Sequence, residues 1–95
     1  MTTPRDELIA VLLETRAYVA RPDADFSWSS WKDAADALSE LDGLIASVRA
    51  GGLPRTALDV LFLPTGPLQE TAMQSGWSDA YLALAARFDA AIASL

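Results

Sequence analysis

Apolar residues in the middle of the chain recur at alternating spacings of four and three, in the order Ala34, Leu38, Leu41, Ile45 and Val48. This period places their side chains on one face of an α-helix, and the charged residues between them fall on its other faces. Ser30 is a suitable N-cap, and Gly51 and Gly52 supply a glycine stop after the last apolar position. The pattern therefore predicts a helix over residues 30–50.

Two further stretches have the same helical period. Thr3 and Pro4 are typical of an N-cap and a first helical residue, and they predict a helix over residues 4–20. The predicted buried face of this helix consists of Leu8, Val11, Leu12, Thr15, Tyr18 and Val19. Ser78 is the predicted N-cap of the last helix, over residues 78–94. The predicted buried face of this last helix consists of Tyr81, Ala85, Phe88, Ile92 and Leu95.

The stretch LFLPTGPLQETAMQSGW, residues 61–77, combines large apolar residues with helix-breaking prolines and glycines. The breakers divide this part of the chain into two short helices, one over residues 55–63 and one between Pro67 and Gly76. Trp77 is expected to pack at the corner before the last helix. The residues predicted to point inward are Leu58, Leu61 and Phe62 on the first short helix, and Leu68 and Met73 on the second.

The fold class predicted from these patterns is all-α. No segment shows the alternation of apolar and polar residues that is typical of a half-buried strand. We expect a compact helical bundle of three long helices, with two short helices between the second and the third. A chain of 95 residues, 52% of them apolar, suits a single domain over residues 1–95.

The charge balance disfavours several classes of partner. Thirteen acidic and seven basic residues give a formal net charge of −6, whereas nucleic acids and anionic membrane surfaces require a basic patch. No apolar stretch approaches the ~20 residues that span a bilayer. Asp6 and Glu7 stand where a secretory signal would carry basic residues, so we expect a soluble cytoplasmic protein. Six arginines against one lysine, with abundant alanine, are typical of a GC-rich bacterial genome.

The residue types present limit the available chemistry. The chain has no histidine and no cysteine, which excludes the commonest acid–base residue, the usual nucleophile–base pairs and most zinc sites. Asp33, Asp36 and Glu40 share one side of the second predicted helix and are the best candidates for a magnesium site built from carboxylates alone. A solvated helix face explains the same spacing. The sequence therefore predicts no catalytic residue, no metal ligand and no cofactor.

Four aromatic residues allow two interpretations. Phe26, Trp28 and Trp31 crowd the approach to the second helix, and Trp77 precedes the last one. Tryptophan at such a corner usually packs its ring inside the core. Aromatic residues are also enriched at the energetic centres of protein interfaces. These four residues are therefore the candidate interaction surface.

The C-terminal third of the chain resembles a known group. Its motifs are LFLPTGPLQE at residues 61–70, Gly76-Trp77, and Tyr81, Leu84, Ala85 and Phe88 in the last helix. The segment FSWSSW at residues 26–31 extends the likeness. Together they resemble a signature of small uncharacterised bacterial helical proteins. The resemblance implies a small helical domain and no activity.

Three functional classes follow from these observations. The first is a non-enzymatic protein-interaction module, for example a regulatory protein or an immunity-type protein whose acidic surface masks a basic toxin. The second is a self-associating structural subunit that forms a homodimer. The third is a carboxylate-dependent magnesium enzyme or a small-ligand binder. We expect the first class, with a protein partner and no nucleic acid or membrane.

Overall fold

A computed structural model gives the fold of the chain and describes residues 3–26, 31–63 and 66–95. These ranges contain five α-helices of 16, 16, 7, 9 and 16 residues and no strand, so the predicted all-α class is confirmed. The helices are α1 (Pro4–Val19), α2 (Ala34–Arg49), α3 (Arg55–Leu61), α4 (Pro67–Ser75) and α5 (Ser78–Ala93). The radius of gyration is 12.5 Å, as expected of a compact chain of this length.

Helix α1 lies at the centre of the packing, in contact with α2 on one side and α5 on the other. Thr3 caps it as predicted: the Thr3 hydroxyl accepts a hydrogen bond from the Asp6 N–H at 3.1 Å, and the Asp6 carboxylate accepts one from the Thr3 N–H. Its buried residues are Leu8, Val11, Leu12, Thr15 and Val19, which confirms most of the predicted face. Tyr18, also predicted there, is half-buried.

Helix α2 begins at Ala34, four residues later than predicted. Asp33 is its N-cap, because the extended backbone of this residue lets its carboxylate accept a hydrogen bond from the Asp36 N–H at 2.9 Å. Ser30, the predicted cap, lies outside the described residues. The buried face of α2 consists of Ala37, Leu41, Leu44, Ile45 and Val48, whereas Ala34 and Leu38 of the predicted seam are half-buried.

The two short helices follow the predicted breaks with one error in their buried faces. Leu58, Leu61 and Phe62 are buried as predicted, although α3 ends at Leu61 rather than at residue 63. The buried residues of α4 are Leu68, Thr71 and Ala72, and the prediction for Met73 is wrong, since this side chain is 61% exposed. Five residues beyond Leu68, Met73 is turned about 140° away from it around the helix axis. Gly76 ends α4 with a φ of 83°, and Pro64 and Thr65 lie outside the described residues.

Helix α5 carries most of its predicted face inward. Tyr81, Phe88 and Ile92 are buried, together with Leu84 and Ala91, and Ala85 is half-buried. Leu95 follows the end of the helix and is 44% exposed, so its predicted burial is wrong. Trp77 occupies the N-cap position without a side-chain cap, and Ser78, the predicted cap, is the first helical residue.

Polar contacts fix α1 against its two neighbours. The Arg87 guanidinium on α5 lies 2.8 Å from the Glu7 carboxylate and 2.6 Å from the Glu14 carboxylate on α1. Arg16 on α1 bonds Asp42 on α2 at 2.6 Å. These hydrogen bonds raise the pKa of Arg87 and lower the pKa of Asp42. None of the helices in the described ranges is long and apolar enough to cross a membrane.

Candidate functional site

Two of the aromatic residues singled out in the sequence, Trp31 and Trp77, lie close to helix N-termini. Trp31 comes shortly before α2 and Trp77 directly before α5, and each ring is only 5% exposed. Phe26 is half-buried and meets Trp31 edge to face, with ring centroids 6.4 Å apart. Trp28 lies outside the described residues. Trp31 and Trp77 therefore contribute to the core, and their role in an interaction surface stays a prediction.

The two buried indoles differ in their hydrogen bonding. Trp31 Nε1 donates a hydrogen bond to the carboxylate of Glu40 on α2. Trp77 stacks on Tyr18 with ring centroids 5.0 Å apart, and its Nε1 is buried with no hydrogen-bond partner in the described part of the chain. A buried donor of this kind loses its bonds to water on folding and receives nothing in exchange.

The three carboxylates considered for magnesium each have a local structural role. Asp33 caps α2, Asp36 accepts a hydrogen bond from the Lys32 N–H at 3.2 Å, and Glu40 accepts one from Trp31. Across residues 3–26, 31–63 and 66–95, no three acidic side chains come together in a way that would hold a metal ion.

A groove between α3 and α5, here called the α3–α5 groove, is bordered by exposed apolar side chains. It has a volume of about 500 Å³, and its lining includes Leu63, Leu82 and Ala85, with Asp59 and Asp89. Leu63 and Leu82 are 47% and 62% exposed. Ala85 also lines the groove, and its side chain is too small to fill it. Two leucines thus stand beside a concavity that nothing in the described chain fills.

Buried aromatic rings support the α3–α5 groove. Phe62 stacks on Phe88 with ring centroids 4.3 Å apart and lies nearly parallel to Tyr81 at 6.5 Å. The Tyr81 hydroxyl donates to the carbonyl oxygens of Phe62 at 3.0 Å and Leu63 at 3.3 Å. Because these carbonyls follow the last turn of α3, Tyr81 ties the end of α3 to α5 and fixes the position of Leu63.

The charges at the α3–α5 groove are negative. Asp59 and Asp89 are both exposed, and the lining residues that the structure describes include no lysine or arginine. The Arg55 guanidinium approaches Asp59 only to 4.0 Å. Burial raises the pKa of the Tyr81 phenol, and the negative charge of Asp89 raises it further. The phenol therefore stays protonated and keeps its hydrogen bonds to the backbone.

The α3–α5 groove combines apolar surface with a few polar groups. Its polar groups are two exposed carboxylates, the Gln69 amide and a phenol that already donates to backbone carbonyls. A chain without histidine or cysteine lacks the residues of the usual base–nucleophile pairs. What the groove offers is apolar surface with an acidic border.

Sequence reasoning missed the α3–α5 groove because its exposed residues fall outside the helical seams. Leu82 follows the buried Tyr81 and is turned about 100° from it around α5, and Leu63 lies just beyond α3. The sequence does show large apolar residues outside the predicted seams, each with an aspartate nearby, and this is the pattern that could have indicated an exposed apolar surface. That pattern locates single residues, and only the packing of Phe62 against Tyr81 and Phe88 brings them to one groove.

Comparison with known proteins yields no match: no protein-family model, no curated protein and no solved structure is significantly similar to this chain.

Proposed function

We propose that this chain is a non-enzymatic interaction module that binds another protein through the α3–α5 groove. The observation that carries the proposal is the exposure of Leu63 and Leu82 beside the same concavity. Single exposed leucines are common on protein surfaces, but concave apolar surface is where a partner buries the most area per contact. A regulatory or immunity-type protein, which acts by covering its partner, is one form of such a module.

The packing behind the α3–α5 groove favours a binding site that is already formed before a partner docks. In this proposal α1, α2 and α5 form the scaffold, and the short helices fold across it and supply one wall of the groove. The stacked rings of Phe62, Tyr81 and Phe88 are at most 7% exposed. A wall held in this way loses little conformational entropy when a partner docks, which leaves more of the contact energy for affinity.

The test compares two double variants of the full chain as bait. Leu63→Gln with Leu82→Gln removes the apolar border of the groove. Leu13→Gln with Met73→Gln removes two exposed apolar residues, 42% and 61% exposed, that do not line it. Each bait is incubated with lysate of the source organism, and any retained protein is then purified and titrated against the bait.

We expect one protein to bind wild type and the control variant in equimolar amounts and to lose affinity for the groove variant. Equal binding to both variants would place the interface elsewhere and reject the proposal. Sedimentation of wild type alone checks the alternative of self-association. A homodimer that only the groove variant disrupts would replace the interaction module with a self-associating subunit.

A further inference from the structure

We infer that the partner segment that fits the α3–α5 groove is an amphipathic helix with leucine-like residues on one face and lysine or arginine beside them. This inference rests on the proposed function and names the chemistry of the partner. Leu63 and Leu82 form the apolar part of the groove's border, and a partner must cover them with apolar side chains. The aspartates form the charged part of the same border.

The acidic border selects a basic segment. Asp59 on α3 and Asp89 on α5 both line the groove and are exposed, and no cation is among the lining residues that the structure describes. An acidic segment docking here would bring like charges together, whereas a basic one gains attraction at both walls. The net charge of −6 adds a longer-range attraction that raises the association rate for a basic partner.

The fold determines the form of the segment. An extended peptide binds most readily by adding a strand to an open sheet edge, and the described chain contains no strand. A proline-rich segment docks on exposed aromatic rings, but Phe62, Tyr81 and Phe88 are buried under the groove. A helix placed in a groove between two helices needs only apolar anchors spaced one turn apart. The volume of about 500 Å³ is enough for a few such side chains.

A second copy of this chain fits the α3–α5 groove less well. A symmetric dimer through the groove would bring Asp59 and Asp89 of both copies to one interface, where the only nearby cation among the described residues is Arg55, 4.0 Å from Asp59. Two chains of net charge −6 also repel each other at low ionic strength. A basic partner meets neither obstacle.

The experiment titrates the isotope-labelled full chain with three synthetic helical peptides of about four turns each. One peptide has a leucine face and lysines, the second has the same leucine face with glutamates, and the third has the lysines with serines in place of leucine. Backbone amide resonances locate the binding site. We expect the leucine–lysine peptide to shift the resonances of Leu63, Leu82 and Ala85, and the other two to bind at least about tenfold more weakly.

Matched variants separate the apolar and charged contributions. Leu82→Gln should weaken the leucine–lysine peptide about tenfold, whereas Met73→Gln, at a position of equal exposure, should change its affinity less than about twofold. Asp59→Asn with Asp89→Asn should weaken it about tenfold at low salt, and the difference should shrink as salt is added. Asp23→Asn with Asp79→Asn changes the net charge by the same amount at positions outside the groove and should have little effect on the affinity for the leucine–lysine peptide.

The outcomes distinguish this inference from the proposed function. If the leucine–glutamate peptide binds the groove as well as the leucine–lysine peptide, the basic partner is wrong and the interaction module stands. Equal losses in both aspartate pairs would show that net charge, and not the groove, attracts the peptide, which also overturns the inference. If no peptide shifts the groove resonances while an apolar dye does, the groove is a small-ligand site and both proposals fail. Concentration-dependent shifts of the same resonances without peptide would identify a second copy as the occupant and overturn the inference.

Discussion

Replacing each buried tryptophan by phenylalanine should change the free energy of unfolding by different amounts, because only one of the two indole N–H groups has a hydrogen-bond partner in the described residues. Trp31 and Trp77 are equally buried, at 5% exposure, so the two substitutions remove a similar amount of packing. They differ in the fate of the indole N–H. The Trp31 N–H donates to the Glu40 carboxylate, whereas the Trp77 N–H is buried without a partner in the described residues.

The expected magnitudes follow from this difference. Trimming indole to phenyl removes the equivalent of a few methylene contacts and costs about 1–2 kcal/mol in either place. At Trp77 the same change removes a buried unpaired donor, whose desolvation costs about 1–3 kcal/mol, so Trp77→Phe should give between a loss of about 1 kcal/mol and a gain of about 2 kcal/mol in the free energy of unfolding. At Trp31 it removes a hydrogen bond to a charged acceptor, worth about 1.5–3 kcal/mol, and Trp31→Phe should cost about 2.5–5 kcal/mol in total.

Urea unfolding measures the difference directly. Far-ultraviolet circular dichroism follows the helices and avoids the fluorescence of the residue being changed. Trp77→Ala serves as the control for packing and should cost about 3–5 kcal/mol, because it removes the ring that stacks on Tyr18. If Trp77→Phe destabilises the chain as much as Trp31→Phe does, the unpaired indole contributes no penalty and the reasoning is refuted.

Two further predictions concern the backbone and pH. A Cβ added at Gly66 would lie 2.7 Å from the Val60 carbonyl oxygen, so Gly66→Ala should lower the free energy of unfolding by about 1–3 kcal/mol, whereas Gly43→Ala, with nothing within 4 Å, should raise it by up to about 1 kcal/mol. A stabilised Gly66→Ala chain in thermal unfolding would contradict the close approach. The raised pKa of Tyr81 favours the protonated phenol in the folded state, so its contribution to stability is complete below about pH 10 and is lost as pH rises through the folded pKa. Tyr81→Phe should therefore cost about 0.5–1.5 kcal/mol at neutral pH, and its deficit against wild type should shrink in urea titrations at alkaline pH; a constant deficit would argue against the shift.

The sequence predicts the helices well because caps, helix breakers and apolar periodicity depend on residues that are close together in the chain. Thr3 acts through its own hydroxyl and Pro4 and Gly76 act through their own backbone geometry, and the structure places all three at the predicted helix ends. Ser30 is the predicted cap of α2, but Asp33 has that role. Both are good capping residues, and local sequence alone does not decide between two candidates three positions apart. Trp31 is buried in the core, and the helix begins three residues after it.

Burial of single side chains was harder to predict than the elements that carry them. Met73 was expected inside, but α4 turns its Leu68, Thr71 and Ala72 face to the bundle, and that orientation depends on where the chain re-enters after α3. The α3–α5 groove was missed for the same reason. Leu63 and Leu82 are 19 residues apart in sequence, and their common location depends on the hydrogen bonds from Tyr81 to the end of α3.

The ion pairs of Arg87 have a consequence for how the chain responds to a partner. The large buried side chains of α5, Tyr81, Leu84, Phe88 and Ile92, interlock with the core and already resist sliding of this helix. Glu7 and Glu14 lie about two turns apart on α1, and Arg87 contacts both, so a shift of one turn, about 5.4 Å, would break the pair of contacts together. The register of α5 is thereby fixed, and the wall carrying Leu82 moves with α1. Any widening of the groove must come from the α3 side, and it must overcome the Phe62–Phe88 stack as well as the hydrogen bonds from Tyr81.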